Sequence, residues 1–359
     1  MNKHLRSIKK TAVLVAVSWL AIPAFAGIGG FIDAQVGGSK NVNPNSQIAD
    51  AAVYLTKELG RGKMMIDIPF SYRADNVNLT LGAHTAGFAS AFRSFHKKAQ
   101  ATVSWSYDFG LSWTMGRFDS PFLNEAQDTV GLGPYANQGI VFNVLPNMHN
   151  GLMLTYSSGP LSVMGIASRP AGLVHSAAST AGAPARANGE NLEYGFLAKY
   201  THDMMYAGAG LYMFNAGTAA APTTDPAKTF SLIEVMAGTK MADWTIDAQA
   251  VITSPSVKNT DGGFAAGATI NYAWDKMWSI GIRPNYVNKI AANTVATTGS
   301  GAWYLTTTAS AFEVTVGPQA QMSDDLRLRL NYTWTSSKTN PDANSVTDGT
   351  YALSAVYKF

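Results

Sequence analysis

Polar and apolar residues alternate with a period of two along this chain, in segments of about nine to twelve residues separated by turn-formers. Segment 326–334 shows it most clearly, with Leu328 and Leu330 on one face and Arg327 and Arg329 on the other. Successive side chains of a β-strand point to opposite faces, so the pattern predicts strands with one apolar and one polar face. The same pattern recurs at 99–107, 244–252, 262–272 and 351–359. The sequence therefore predicts an all-β protein.

Three features favour a transmembrane barrel over the alternative, a soluble β-sandwich. Aromatic residues such as Trp105, Trp244 and Trp334 cluster near predicted strand ends, as the interfacial girdles of a membrane barrel require. Short turns alternate with long polar loops. The chain also ends in an aromatic strand with a terminal Phe359, which resembles the signal that the barrel-assembly machinery reads.

The connections predict the number of strands, because tight turns of outer-membrane barrels face the periplasm, long loops face outside, and both termini are periplasmic. Tight turns are predicted at 60–62, 108–109, 158–159, 202–203, 241–242, 274–275 and 323–324, and long connections at about 38–47, 71–98, 118–150, 169–190, 215–228, 253–261, 287–309 and 336–349. Segment 138–145 looks like another strand, but counting it gives an odd number and breaks the alternation. We therefore place 138–145 in an extended third external loop that folds inward. The prediction is an antiparallel up-and-down barrel of about 16 strands, with 14 or 18 as alternatives, wide enough for an aqueous channel.

The N-terminus carries an export signature. Basic residues precede a short apolar run over 11–22, and Ala24 and Ala26 form an A-x-A cleavage site. The run is shorter than the roughly 20 residues that span a bilayer, so we predict a cleaved signal peptide over 1–26 and a barrel over 27–359; a retained anchor is the alternative. Four basic residues leave with the signal, which changes the net charge from +3 to about −1. Nucleic-acid binding therefore has no support from charge.

Two sequence blocks resemble a known family. Residues 51–60 and 65–70 read as a strand ending in Lys-x-Leu-Gly, followed by a strand that carries an Asp. Residues 116–121, Gly-Arg-Phe-Asp-Ser-Pro followed by Glu125, are similar to a family motif Gly-Lys-Phe-x-Thr-Pro-x-Gly-x-Glu, with Leu123 where Gly is usual. On these blocks the chain resembles the OmpL-like β-barrel porins of the porin-2 type, outer-membrane porins of Gram-negative bacteria. The resemblance implies a channel with a long loop after the second block.

Alternation assigns charged residues to the inside of the barrel. The predicted wall set is Asp67, Glu193, Lys199, Asp247, Arg283, Glu313, Arg327, Arg329 and Lys358. An Arg or Lys on the lipid face costs about 2–4 kcal/mol at the midplane, which favours Arg327 and Arg329 pointing inward. The third loop contributes Asp119, Glu125 and Asp128. Our hypothesis is a pore constriction in which these acids face the basic wall and set up a transverse field. In the alternative the loop lies over the mouth and the wall charges neutralise each other.

Enzymatic and metal-binding classes find no support. The chain has no cysteine, and its six histidines are scattered without metal-ligand spacing. We predict no catalytic residue, no metal site and no cofactor.

The predicted function is a porin for passive diffusion of small hydrophilic solutes and ions, with a non-conducting surface, structural or adhesive barrel as the alternative. Predicted partners are those solutes, the assembly machinery and outer-membrane lipid or lipopolysaccharide. For a basic cluster of Arg93, His96, Lys97 and Lys98, one hypothesis is binding of lipopolysaccharide phosphates or of a neighbouring subunit, and the alternative is an ordinary solvated loop. Monomer and homotrimer both stay open.

The predicted cleavage site defines the first residue of the mature chain. Signal peptidase cleaves after the A-x-A site, so mass spectrometry of the protein extracted from membranes should show a chain beginning at Gly27. Substitution of Ala24 and Ala26 by bulky residues should leave the uncleaved precursor. A wild-type chain that keeps residues 1–26 in the membrane would contradict the prediction.

Overall fold

The computed structural model describes residues 27–39, 42–69, 99–126, 128–146, 148–170, 192–216, 228–253, 263–288, 310–338 and 345–359. These residues form sixteen strands. The strands are β1 (Gly27–Ser39), β2 (Val42–Leu59), β3 (Gly62–Pro69), β4 (Gln100–Ser106), β5 (Leu111–Asp119), β6 (Met148–Ser158), β7 (Leu161–Pro170), β8 (Glu193–His202), β9 (Met205–Ala216), β10 (Lys228–Met241), β11 (Trp244–Thr253), β12 (Gly263–Ala273), β13 (Trp278–Asn288), β14 (Ser310–Gln321), β15 (Leu326–Lys338) and β16 (Val346–Lys358). The predicted signal peptide and the basic cluster at 93–98 lie outside the described residues.

Each strand pairs antiparallel with its neighbours in sequence, and β1 pairs with β16 to close the barrel. The closure extends to the C-terminus. The amide of Gly30 donates to the Phe359 carbonyl at 3.0 Å, and the amide of Phe359 donates to the Gly30 carbonyl at 3.1 Å. A closed ladder leaves no free strand edge. The predicted sixteen-stranded up-and-down barrel is confirmed, while the assembly role of Phe359 remains a prediction.

All seven predicted tight turns join strands as expected. Several of them need a positive φ, as hairpin turns often do: 71° at Gly60, 54° at Gly159, 49° at Asp203 and 47° at Ala242. Segment 138–145 lies outside the barrel wall, as predicted, and contains the short 3₁₀ turn Phe142–Val144.

The predicted long connection at 38–47 is wrong. Strand β1 ends at Ser39 and β2 begins at Val42, and their main chains pair from Gly27 to Ser39 with two register shifts. A backbone ladder forms irrespective of side-chain polarity, so the loss of alternation here did not mark a loop. The third connection is also slightly shorter than predicted, 120–147 instead of 118–150. Most of the other long connections lie outside the described residues.

The alternation predicted from the sequence is confirmed in the barrel wall. On β15, Leu328, Leu330 and Tyr332 are exposed on the outer surface, whereas Arg329 and Asn331 are buried inside. Aromatic side chains form contacts near both rims of the outer surface, between Trp244 and Tyr272 at one end and between Phe312 and Trp334 at the other. Among the described residues no helix is long and apolar enough to cross a membrane.

The two faces of one strand should respond differently to charge. Leu154 lies on the outer surface near the middle of β6, and the adjacent Thr155 faces the lumen. Leu154→Arg should destabilise the barrel by about 2–4 kcal/mol, because the guanidinium would enter hydrocarbon. Thr155→Arg is the matched control and should change stability much less. Urea unfolding in lipid vesicles measures both, and equal effects would rule out a lipid-facing outer surface.

Candidate functional site

The connection between β5 and β6, described at residues 120–126 and 128–146, lies inside the barrel, and we call these residues the inner loop. Phe122, Ala136 and Leu145 in this loop are fully buried. Its apolar run packs against apolar side chains that point inward from β7 to β14, including Ile166 and Val287. Most residues at 138–145 are therefore apolar because they pack inside the barrel, which explains why this segment resembled a strand.

The inner loop packs closely against glycines of the barrel wall. The ring of Phe122 lies over Gly195 and Gly210, where a Cβ would come within 2.9 and 2.6 Å of ring carbons. Pro134 lies over Gly281, where a Cβ would be 2.5 Å from its Cγ. Any side chain at these wall positions would push the loop away, so glycine is required for this close approach.

A buried histidine on β6, His149, contacts the beginning of the inner loop. The two ring nitrogens of His149 lie 3.0 Å from the hydroxyl oxygens of Ser120 in the loop and Ser168 on β7. The imidazole also packs edge-on against Tyr212 at 5.4 Å and against Phe122 at 6.5 Å between ring centroids. Polar and aromatic contacts therefore hold the loop at the same point.

Arg329 is the central anchor of the loop. Its Nη1 donates to the carbonyl oxygens of Thr129 at 2.9 Å and Tyr135 at 2.6 Å, and its Nη2 donates to Asp33 Oδ2 on β1 at 2.9 Å. The side chains of Arg329 and Asp33 are completely buried. Ser354 Oγ accepts from the same guanidinium and donates to Asp33 Oδ1 at 2.6 Å. A guanidinium has five donors, and here they hold loop and wall together.

Two further arginines make the same kind of contact. Arg283 Nη1 donates to Glu125 Oε2 at 2.9 Å and to the Asn137 carbonyl at 2.6 Å. Arg327 Nη1 donates to two loop carbonyls, those of residues 130 and 133, at 3.3 Å each. The predicted basic wall thus binds the backbone of the inner loop.

The three predicted loop acids have different surroundings. Glu125 reaches the basic wall at Arg283. Asp128 Oδ2 accepts a hydrogen bond from Tyr54 on β2 at 2.5 Å. Asp119 is the last residue of β5 rather than part of the loop, because its main chain still pairs with Met148; its exposed carboxylate accepts from Gln100 at 2.8 Å. Their role in a constriction remains a prediction.

The predicted wall acids also face inward. The Glu313 carboxylate accepts from Asn285 at 3.1 Å and lies 3.8 Å from Arg283. Asp67 is buried on β3, and Asp247 accepts from the Tyr206 hydroxyl at 2.7 Å.

Tyr135 of the inner loop lies beside Arg283. Burial raises the pKa of its hydroxyl, so this phenol stays neutral next to the guanidinium.

Sequence reasoning missed the partners Asp33 and Asn331. Asn331 accepts from the Ala136 amide and donates to the Pro134 carbonyl at 2.9 Å. Polar alternation marks both residues as inward-facing, but their meeting with the loop depends on barrel closure.

Beside the inner loop, the inward faces of β4 to β7 carry hydroxyl groups toward the turn end of the barrel. Ser104, Thr114, Thr155 and Ser162 face inward and are partly exposed. Their partial exposure contrasts with the fully buried residues under the loop, so this part of the lumen admits water.

A family model described as "Putative beta-barrel porin-2, OmpL-like" matches residues 29–359. The chain belongs to this family. The predicted family is thereby confirmed, and the fold is that of a porin-like outer-membrane barrel. The inner loop is therefore the long loop that the family resemblance predicted after the Gly-Arg-Phe block.

Solved structures share the fold at low sequence identity. An anion-selective porin from Comamonas acidovorans has 13% identity and a TM-score of 0.60, covering 93% of this chain and 99% of that chain. The outer-membrane channel DcaP of Acinetobacter baumannii has 12% identity and a TM-score of 0.60, covering 93% and 96%. OmpT of Vibrio cholerae has 13% identity and a TM-score of 0.59, covering 93% and 97%. No curated protein matches the sequence.

The Arg329–Asp33 pair should dominate the stability of the loop in this porin. Arg329→Met leaves the buried Asp33 carboxylate without its cation and should destabilise the protein by about 3–5 kcal/mol. The double variant Arg329→Met/Asp33→Asn removes both charges and should recover part of that loss. Urea unfolding of the four members of this cycle measures the coupling. A double variant no more stable than the single one would show that the charge pair is not the cause.

Proposed function

We propose that this porin forms a water-filled channel for passive diffusion of small hydrophilic solutes and ions across the outer membrane. The observation that carries the proposal is the inner loop, held inside a sixteen-stranded barrel by Arg283, Arg327 and Arg329. Such a loop narrows the lumen without being part of the wall. The partly exposed hydroxyl groups on β4 to β7 supply a wettable surface beside it.

The proposal involves no catalysis and no cofactor, since diffusion through a barrel needs neither. Within the described residues no cluster of His, Asp or Glu is arranged to hold a metal ion.

We further propose that the chain is exported by its signal peptide, inserted by the assembly machinery and surrounded by outer-membrane lipid or lipopolysaccharide. One structural relative, OmpT of Vibrio cholerae, is described in a trimer form; a homotrimer is our proposal for this chain as well.

A non-conducting structural or adhesive barrel is the competing function. The extent of burial under the inner loop favours it, because residues such as Leu197, Tyr212 and Val251 are almost inaccessible to water. The two functions differ in one measurable property, the passage of ions.

Planar-bilayer recording of the purified barrel tests the proposal. We expect discrete current steps, and in a salt gradient a reversal potential that reports the sign of the preferred ion. A correctly folded barrel, identified by heat-modifiable mobility in electrophoresis, that gives no steps would refute the channel and favour the structural barrel.

The constriction is tested by neutralising the three acids together, Asp119→Asn/Glu125→Gln/Asp128→Asn. We expect a changed single-channel conductance and a reversal potential displaced toward anion preference, because negative charge at the narrowest point attracts cations. Asp243→Asn, in a periplasmic turn, serves as the control and should leave both quantities unchanged. Wild-type values in the triple variant would mean that these acids do not line the constriction.

A further inference from the structure

Two opposite charges face the lumen without pairing with each other. Lys199 on β8 and Asp247 on β11 both point inward and are partly exposed. Among the described residues neither forms an ion pair. In contrast, Arg283 and Arg329 are buried and contact carboxylates. Lys199 and Asp247 are therefore accessible to a solute, which the buried arginines are not.

Tyr206 on β9 keeps the two charges apart. The Lys199 ammonium lies over the face of the ring, 4.0 Å from its centroid, while the hydroxyl at the end of the ring donates to Asp247 Oδ1 at 2.7 Å. Each charge is thus oriented by the same neutral side chain. Gly238 makes this possible, because a Cβ there would lie 2.3 Å from the Tyr206 ring and 2.4 Å from the Asp247 carboxylate.

The cluster lies at the border of the inner loop. The Tyr206 hydroxyl is 3.3 Å from Asn124 Oδ1 in the loop, and Asn124 Nδ2 donates to the Ala248 carbonyl on β11 at 3.1 Å. Tyr206 also packs against the apolar cluster under the loop. A solute that passes the loop on this side of the lumen meets a cation and an anion separated by an aromatic ring.

We propose that Lys199, Tyr206 and Asp247 form a binding site for small zwitterionic solutes such as amino acids, an inference that rests on the proposed channel. The solute carboxylate binds the Lys199 ammonium, and the solute ammonium binds the Asp247 carboxylate. A neutral solute gains neither contact, and a singly charged solute gains one attraction and one repulsion. The arrangement thus favours a molecule that carries both charges a short distance apart.

Liposome swelling in phosphatidylcholine vesicles that contain the full barrel tests the site, with L-serine as the zwitterion and erythritol as a neutral polar solute. In Lys199→Met and in Asp247→Asn, the ratio of L-serine to erythritol permeation should fall about twofold to fivefold, the range expected for one partly screened charge contact. Lys240→Met, an inward-facing lysine at the end of β10 outside the cluster, is the control and should keep the wild-type ratio.

A charge exchange provides a second measurement. Lys199→Asp/Asp247→Lys reverses the order of the charges but keeps both, and a free zwitterion simply turns around, so the ratio should stay closer to wild type than in Lys199→Asp alone. An unchanged ratio in the single variants, or an equal fall in Lys240→Met, overturns the zwitterion site while leaving the channel intact. A folded wild-type barrel that passes no ions and neither solute overturns the channel and the site together.

Discussion

The structure depends on the requirement that every backbone amide and carbonyl in a bilayer find a partner within the protein. Sixteen strands meet it only because β1 pairs with β16, and this pairing continues to the last residue, where Gly30 and Phe359 exchange two hydrogen bonds. Once the wall is closed, each strand has one face toward lipid and one toward the lumen. The outer face becomes mainly apolar, and most of the buried polar side chains point inward.

The same requirement for hydrogen-bond partners applies to the inner loop. A loop with only two short 3₁₀ turns in a closed space needs partners for most of its own carbonyls. Arg283, Arg327 and Arg329 provide these donors from the wall, and glycines at positions such as 195 and 210 provide the space. Arg283 and Arg329 are buried in this role and are not accessible to a solute, whereas Arg327 is partly exposed. Lys199 and Asp247 lie partly exposed beside the loop, and we propose that they bind a solute that carries both charges.

Much of the fold could be predicted from the sequence, because alternation and turn residues are local signals. The strand number, all seven tight turns and the inward direction of Arg327 and Arg329 follow from them. The first long connection was wrong, since β1 and β2 continue to pair where alternation fades and main-chain pairing leaves no mark on the sequence. The candidate site was predicted only in part. Wall and loop charges were identified, but the pairing of Arg329 with Asp33 joins residues near opposite ends of the chain.

The sequence by itself determined the closed barrel, because a period of two predicts strands and the alternation of short and long connections favours an even strand number, sixteen with 14 or 18 as alternatives. It also placed 138–145 outside the wall. Only the tertiary structure decided what the charges do. Whether an inward arginine faces water or a loop carbonyl depends on where the loop packs. That packing is set by contacts between the loop and strands far from it in sequence, such as the contact of Phe122 with Gly195 and Gly210. Local patterns carry no information about such contacts, because these contacts form only when the barrel closes around the loop.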